Sequence, residues 1–322
     1  MSTLFVDDRY RGAHGIGRYA AEVLPRLTVP WEPLGLDGSP FTAVDAFRGV
    51  GPATARDALV YSPGYGALVR ARRQLLTLHD LIQLRGSGLS CWKFAAYYAG
   101  PVRDVVRRTG VVLTVSETSA RAIRTWVGDD AVEIVNAGNG CSAAFSPAEA
   151  ATSLADPYVL FVGNGRAHKN LDTVLDALVV ARDVRLVAVV PEHEIADLDA
   201  RAGRRSIGDR VHWMSGVDDD ELADLYRGAA ATVMPSTLEG FGLPALESIR
   251  CGVPVIHWSG CEAVAEIVVG RGWAVGSPDD PQEWSSALTA AVQSPRRVDP
   301  PPGYDWGRTA QIISDTIARL LD

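Results

Sequence analysis

Residues 231–256, reading ATVMPSTLEGFGLPALESIRCGVPVI, admit few folds. The apolar run 231–234 is a short buried strand in pattern, and Pro235-Ser236 breaks it. A polar loop carrying Glu239 leads to Gly240-Phe241-Gly242, and a helix then opens at Leu243-Pro244 and closes near Gly252. Pro244 suits a first helical turn, where a missing N–H costs nothing, and Gly252 suits the position just past the helix end. Residues 253–256 read as a second strand, so the unit is strand, glycine loop, helix, strand, which belongs to a parallel α/β sheet.

Glycines on both sides of Phe241 let the backbone approach a ligand closely. The N–H groups of the following helix start, with the helix dipole behind them, form a site for an anion such as phosphate. Glu247 stands one helical turn inside, on the face of Leu243, and Glu239 enters from the loop. Two carboxylates beside a phosphate make chemical sense if they accept hydrogen bonds from sugar or ribose hydroxyls. A capped amphipathic helix with solvated glutamates explains Pro244 and Gly252 but leaves Gly-Phe-Gly unexplained.

At 322 residues the chain accommodates two domains of about 150 residues each. Its 47% hydrophobic and 22% charged residues are ordinary for a globular protein. No apolar run reaches the ~18 to 20 residues of a membrane span, and Asp7-Asp8 comes too early for a signal peptide, so a cytoplasmic location is expected. Cys91, Cys141, Cys251 and Cys261 lack metal spacing and read as free thiols. Residues 1–150 hold 16 basic and 14 acidic side chains, while residues 151–322 hold 15 and 25, so the second half is a poor partner for nucleic acid. Lys93 and Lys169 are the only lysines among 31 basic residues, and Lys169 sits in a glycine-bearing loop where a compact ammonium suits a phosphate.

Residues 2–6 read as a first strand and 15–27 as a helix, with Pro25 forcing a kink or an early end. Gly15-Ile16-Gly17-Arg18-Tyr19-Ala20 matches G-x-G-x-x-A and raises a nicotinamide-dependent enzyme as a rival. That fingerprint places its first glycine directly after the strand, whereas residues 7–14 intervene here, and no acidic residue ends a clear second strand about 20 positions on. Residues 75–78 form a strand ending at His79-Asp80, at the carboxyl end where open α/β sheets bind ligands; Asp80 orients or caps. Trp92, Phe94, Tyr97 and Tyr98, followed by Arg103, Arg107 and Arg108, give either an acceptor-facing or membrane-facing helix or one that buries its aromatics in the first domain. A strand over 111–115 and a helix over 116–126 follow, with Ser116 as N-cap and Ser119 in its first turn.

Residues 136–157 read as the interdomain linker. A strand over 158–162 then leads through Gly163-Asn164-Gly165-Arg166-Ala167-His168-Lys169-Asn170 into a helix over 171–178, a loop whose cations Arg166 and Lys169 suit a diphosphate. Residues 185–190 and 211–214 are further strands. Asp218-Asp219-Asp220 resembles a metal-binding acidic motif, but followed by Glu221 and Leu222 it reads as a helix N-cap with an acidic first turn. The backbone of residues 214–217, Gly216 included, is expected to border a nucleobase, with Leu222 and Tyr226. Residues 304–321 form a final amphipathic helix.

Glu239 and Glu247, with seven residues between them inside PSTLEGFGLPALE, resemble the glutamate pair of the retaining nucleotide-sugar glycosyltransferases of family 4, which have the GT-B fold. GIGRYAAEVL at Gly15, LTLHDL at Leu76, VLTVSETSARAI at Val112, LFVGNGRAHKNLDTVLDAL at Leu160, VHWMSGVDDDELADLY at Val211, AVAEI at Ala263 and YDW at Tyr304 resemble that family in the same order. The resemblance implies two Rossmann-like parallel-sheet domains facing a cleft: residues 1–148 on the acceptor side, joined by a C-terminal helix over 303–322 that crosses back, and residues 149–302 on the donor side. It implies a diphosphate held by Lys169, Arg166 and the backbone of Gly240, Phe241, Gly242 and Leu243, and a ribose held by Glu247. Glu239 and His79 are then the sugar contacts, and Gly15 and Gly17 lie near the donor phosphates and the acceptor.

The activity so implied is transfer of a sugar from a nucleotide-diphosphate sugar to a hydroxyl acceptor, with retention and with no metal or other cofactor required. The HDL and GIGRY segments look most like bacterial polysaccharide mannosyl- and rhamnosyl-transferases, which favours GDP-mannose or a related hexose or deoxyhexose donor. The acceptor is a glycan, a lipid-linked glycan or a small natural product, and peripheral contact with the inner face of the membrane fits a membrane-presented one. Two rivals keep the fold: a nucleotide-sugar epimerase or phosphorylase, and a non-catalytic partner protein. A phosphorylase needs a pyridoxal lysine, a setting neither lysine has, and retention of both glutamates with Lys169 speaks against a decayed site.

Overall fold

The computed structural model describes residues 3–12, 15–40, 42–55, 58–85, 89–148 and 157–322. Ser2 of the predicted first strand and residues 149–156 of the predicted linker lie outside them. The chain divides into two compact units, Met1–Gly140 with Gly303–Asp322, and Cys141–Pro302. Residues 141–148, assigned from the sequence to the first domain, group with the second unit. Phe145 there is fully buried against the Tyr226 ring, 5.8 Å between centroids, and Arg227 donates to the carbonyls of Ala144 and Ser146.

In the first unit, β1 (Thr3–Val6) runs into α1 (Gly15–Val23) and returns to β2 (Glu32–Pro33). The helix stops where Pro25 predicts: a single 3-10 turn, Leu24–Arg26, takes over because the proline ring cannot continue the α-helical ladder. β3 (Ala58–Ser62) and β4 (Gln74–Leu76) complete a parallel sheet of order β2-β1-β3-β4. α2 (Leu89–Tyr97) and α3 (Arg103–Thr109) are joined by a π-helical turn, Tyr98–Val102, at Pro101. They bury Tyr97 and Tyr98 and leave Trp92 76% exposed, so the aromatic helix is part core and part surface. β5 (Val111–Thr114), α4 (Glu117–Val127) and β6 (Glu133–Asn136) follow, with β5 and β6 parallel and Thr77 bridging to Leu113. Ser116 caps α4 by accepting from the Ser119 N–H at 3.0 Å. β3, β4 and β5 are buried along their whole length, which is why they read as continuous apolar runs.

In the second unit, β7 (Tyr158–Val162), α5 (Leu171–Val180), β8 (Arg185–Val189), α6 (Glu192–Arg204) and β9 (Val211–Met214) form one half. The other half is α7 (Asp219–Gly228), β10 (Ala231–Met234), α8 (Leu243–Arg250), β11 (Val255–Trp258), α9 (Glu262–Val268), β12 (Gly272–Val275) and α10 (Pro281–Gln293). The sheet is parallel throughout, with order β12-β11-β10-β7-β8-β9. This is the doubly wound arrangement in which the first strand, β7, sits beside the fourth, β10, and the winding reverses between them. One apolar cluster packs α5, α6 and α10 on one face around the fully buried Trp284, and another packs α7 and the end of α8 on the other. Asp218 starts α7 with a complete capping box: it accepts from the N–H groups of Asp220 and Glu221, and Glu221 accepts from the Asp218 N–H.

The chain then returns to the first unit as α11 (Trp306–Leu321), capped by Asp305. Its Ser314 hydroxyl accepts from the Thr28 N–H, and Trp306 packs edge-on against Tyr19 of α1. No helix among the described residues is long and apolar enough to cross a membrane.

Candidate functional site

The two loops singled out in the sequence leave the carboxyl ends of β7 and β10, the neighbouring strands at the reversal point of the second sheet. Strand ends diverge at such a point and open a crevice for a ligand. The loops are tied together: the His168 carbonyl accepts from the Thr237 N–H at 2.8 Å and from the Thr237 hydroxyl at 3.3 Å. The first loop makes a 3-10 turn, Ala167–Lys169, closed by Asn170 in the left-handed conformation (φ 51°). Asn170 is held there by its amide donating to the Pro278 carbonyl and by the Thr173 hydroxyl donating to its side-chain oxygen.

That turn aims Lys169 at the second loop, where its ammonium donates to Glu239 Oε1 at 2.7 Å. The side chains are 15% and 11% exposed, so the pair is largely shielded from water. Gly242 follows at φ 103°, a conformation that disfavours any Cβ, and an added Cβ would also lie 3.1 Å from Val264. It opens α8, whose first turn carries Pro244 and no acidic side chain, so nothing on the helix itself neutralises its positive end. Gly240 and Phe241 are buried and Leu243 is half-buried. A cation, a helix N-terminus and a carboxylate thus meet within one unit, a set that suits an anion carrying hydroxyl groups.

Arg166 stands apart from this pair. It is exposed, and among the described residues its guanidinium has no hydrogen bond or ion pair; its backbone N–H donates to the Asn164 side chain and its carbonyl accepts from the Lys169 N–H. Glu194, unremarked in the sequence, accepts from the Gly165 N–H at 2.6 Å and so fixes the loop just before Arg166. His168 is kept below the ordinary imidazole value of 6.5 by burial and by the neighbouring Lys169. Cys261 lies beside the Lys169–Glu239 pair, its thiol pushed up to about 12 by burial and by the Glu239 charge, so it is an unreactive thiol.

Glu247 is 3% exposed, and its Oε2 accepts from the Tyr226 hydroxyl at 2.9 Å. Tyr226 is fully buried among Phe145, Leu160, Val187 and Leu222, so it cannot border a nucleobase as expected from the sequence. Burial and the Glu247 charge push its phenol well above 10. The signal was present in the pattern: Leu222, Ala223 and Tyr226 form the buried face of α7, and the phenol is the one side-chain hydroxyl on it. Gly216, at φ 68°, lies in the turn between β9 and α7 with open space beside its Cα.

The remaining sequence candidates belong to the first unit. Gly15 is the exposed first residue of α1. Gly17 is buried, and any Cβ there would collide with the Gly12 carbonyl. His79 follows β4 and is half-buried; its Nε2–H donates to the Pro63 carbonyl at 2.9 Å, its own carbonyl accepts from the Ser119 hydroxyl, and its ring meets Tyr19 edge-on at 4.7 Å. Asp80 accepts from the Ile82 N–H at 2.9 Å, a local bond that orients its carboxylate rather than capping the turn, whose N-cap is Leu81.

Residues 145–300 match the family model described as glycosyl transferases group 1, a stretch that contains both loops, the Lys169–Glu239 pair and Glu247. The match spans nearly all of the second unit, Cys141–Pro302. The chain is 27% identical to the O-antigen chain mannosyltransferase B of Escherichia coli over 260 residues, 74% of this chain and 66% of that relative. It spans 43% and 48% of the lengths of two further curated relatives matched at 30% identity. Among solved structures, the sucrose-phosphate synthase of Thermosynechococcus elongatus superposes with a TM-score of 0.71 at 18% identity, over 99% of each chain. Anabaena Alr3699/HepE in complex with UDP superposes with a TM-score of 0.68 at 17% identity, over 99% of this chain and 100% of that one. The two parallel α/β units therefore have the GT-B class of fold expected from the glycosyl transferases group 1 resemblance.

Proposed function

We propose that this protein is a retaining glycosyltransferase that moves a sugar from a nucleoside-diphosphate sugar to an acceptor hydroxyl without needing a metal. The observation that carries the reading is the Lys169–Glu239 pair, set beside the N-terminus of α8 at the reversal point of the glycosyl transferases group 1 unit. In this proposal Lys169 moves its charge onto the donor diphosphate, helped by Arg166 and the backbone of residues 240–243. Negative charge that develops as the sugar–phosphate bond breaks is then stabilised where it forms. Glu239, released from Lys169, accepts from sugar hydroxyls and sets the position of the anomeric carbon, with His79 on the sugar side.

Gly216 borders the base, Glu247 takes the ribose hydroxyls, and Gly15 and Gly17 lie by the acceptor. The donor phosphate oxygen takes the acceptor proton in a front-face attack, with Glu239 holding sugar hydroxyls rather than forming a glycosyl adduct; trapping such an adduct on Glu239 would overturn this step. GDP-mannose or a related hexose or deoxyhexose donor is favoured, supported by the mannosyltransferase name of the Escherichia coli relative. The setting is bacterial polysaccharide or glycoconjugate assembly on the cytoplasmic side, with peripheral membrane contact where the acceptor is lipid-linked.

The test is proton NMR of the purified chain with GDP-mannose, UDP-glucose or dTDP-rhamnose in EDTA, with methyl glycosides offered as acceptors. One donor is expected to be consumed, giving a product with the anomeric configuration of the donor. Inverted product overturns retention, and consumption of a donor to its epimer without any acceptor overturns transfer.

A further inference from the structure

The buried hydroxyl of Tyr226 has no use in packing. A phenylalanine fills the same apolar pocket, and a phenol left unpaired there is costly, so the hydroxyl is accounted for by its bond to Glu247. We propose that Tyr226 is a positioning residue that presents the Glu247 carboxylate to the donor ribose. The proposal rests on the reading of Glu247 as the ribose acceptor.

Glu247 sits one turn into α8, on the face of Leu243. Its side chain is flexible, and on a short helix a free glutamate samples several rotamers. The Tyr226 O–H, fixed on a different helix and surrounded by Phe145, Leu160 and Leu222, pins Oε2 at 2.9 Å and allows one orientation. A carboxylate accepts about four hydrogen bonds, so this one orients the group without exhausting it. Because burial holds the phenol well above 10, it remains a donor at any working pH. A hydroxyl that reaches the carboxylate then meets an acceptor already in place, with its ordering entropy spent in the fold rather than in binding.

The test compares the affinity of the full chain for GDP and UDP with that for their 2′,3′-dideoxy counterparts, by calorimetry. Wild type is expected to prefer the ribose form of the nucleotide it binds by about ten-fold or more, the worth of one charge-assisted hydrogen bond. Glu247→Gln and Tyr226→Phe should each cut that preference by at least about three-fold, with Tyr226→Met as a second hydroxyl-free variant if Tyr226→Phe folds poorly. Val187→Ala, which loosens the same apolar cluster without touching the hydroxyl, should lower the melting temperature and leave the preference intact. If Glu247→Gln lowers the preference but Tyr226→Phe and Tyr226→Met do not, the positioning role is wrong and the ribose reading survives. If wild type shows no preference, or Glu247→Gln leaves it unchanged, the ribose reading of Glu247 fails and the inference falls with it.

Discussion

The Lys169–Glu239 pair makes a stability prediction that needs no substrate. At 2.7 Å, and with both side chains nine-tenths or nearly so out of water, the gross attraction is about 6 kcal/mol for an effective dielectric of 20. Desolvation and side-chain ordering offset most of that, leaving a net coupling of about 1.5–3 kcal/mol, as for hydrogen bonds between charged groups. Lys169→Met strands a shielded carboxylate and Glu239→Leu strands a shielded ammonium; each should cost about 2–4 kcal/mol, the lower end reflecting the residual exposure. Lys169→Met/Glu239→Leu together should cost less than the sum by the coupling energy. Native-state hydrogen exchange at the amides of β7 and β10 reads the stability of this unit directly within the full chain. Additivity of the two single variants to within about 0.5 kcal/mol would refute the pair as a feature of the ligand-free protein.

Two further predictions concern the same unit. His168 and His257 are both held below 6.5 by burial, with Lys169 adding to the effect at His168 and a bond to the Trp258 carbonyl partly opposing it at His257. Each is neutral in the folded chain at a pH where the unfolded chain binds a proton. Stability is therefore full above pH 6.5 and declines as pH falls below it; urea midpoints between pH 5 and 8 should show this, and His257→Asn should flatten the slope. Gly242→Ala forces a side chain into φ 103° against Val264 and should destabilise the unit by about 1–3 kcal/mol in urea unfolding while also weakening nucleotide binding. An unchanged midpoint would show that the turn relaxes freely.

Features set by local rules could be read from the sequence. Pro25 ends α1, Asp218 and Glu221 form the capping box, Ser116 caps α4, and the glycine loop opens α8 at Pro244, because each depends on residues within a turn of one another. What the sequence hid depends on contacts between distant segments. Lys169 and Glu239 are 70 positions apart, so their pairing became visible only when β7 and β10 lay side by side. In the sequence Tyr226 groups with residues 214–217 as a nucleobase neighbour; its burial follows from the packing of α7 against Phe145, which also carries residues 141–148 into the second unit. Arg166 and Lys169 read alike as loop cations, yet the 3-10 turn directs only the lysine at Glu239.

The most direct test of the account is calorimetric titration of the chain with GDP, UDP and dTDP in EDTA, repeated on Lys169→Ala and Glu247→Ala. One nucleotide should bind without metal, and both substitutions should weaken it by about ten-fold or more, as expected for losing a charge-assisted contact. Failure of all three nucleotides to bind, or binding that both variants retain in full, would contradict a donor site at the reversal point of the second sheet.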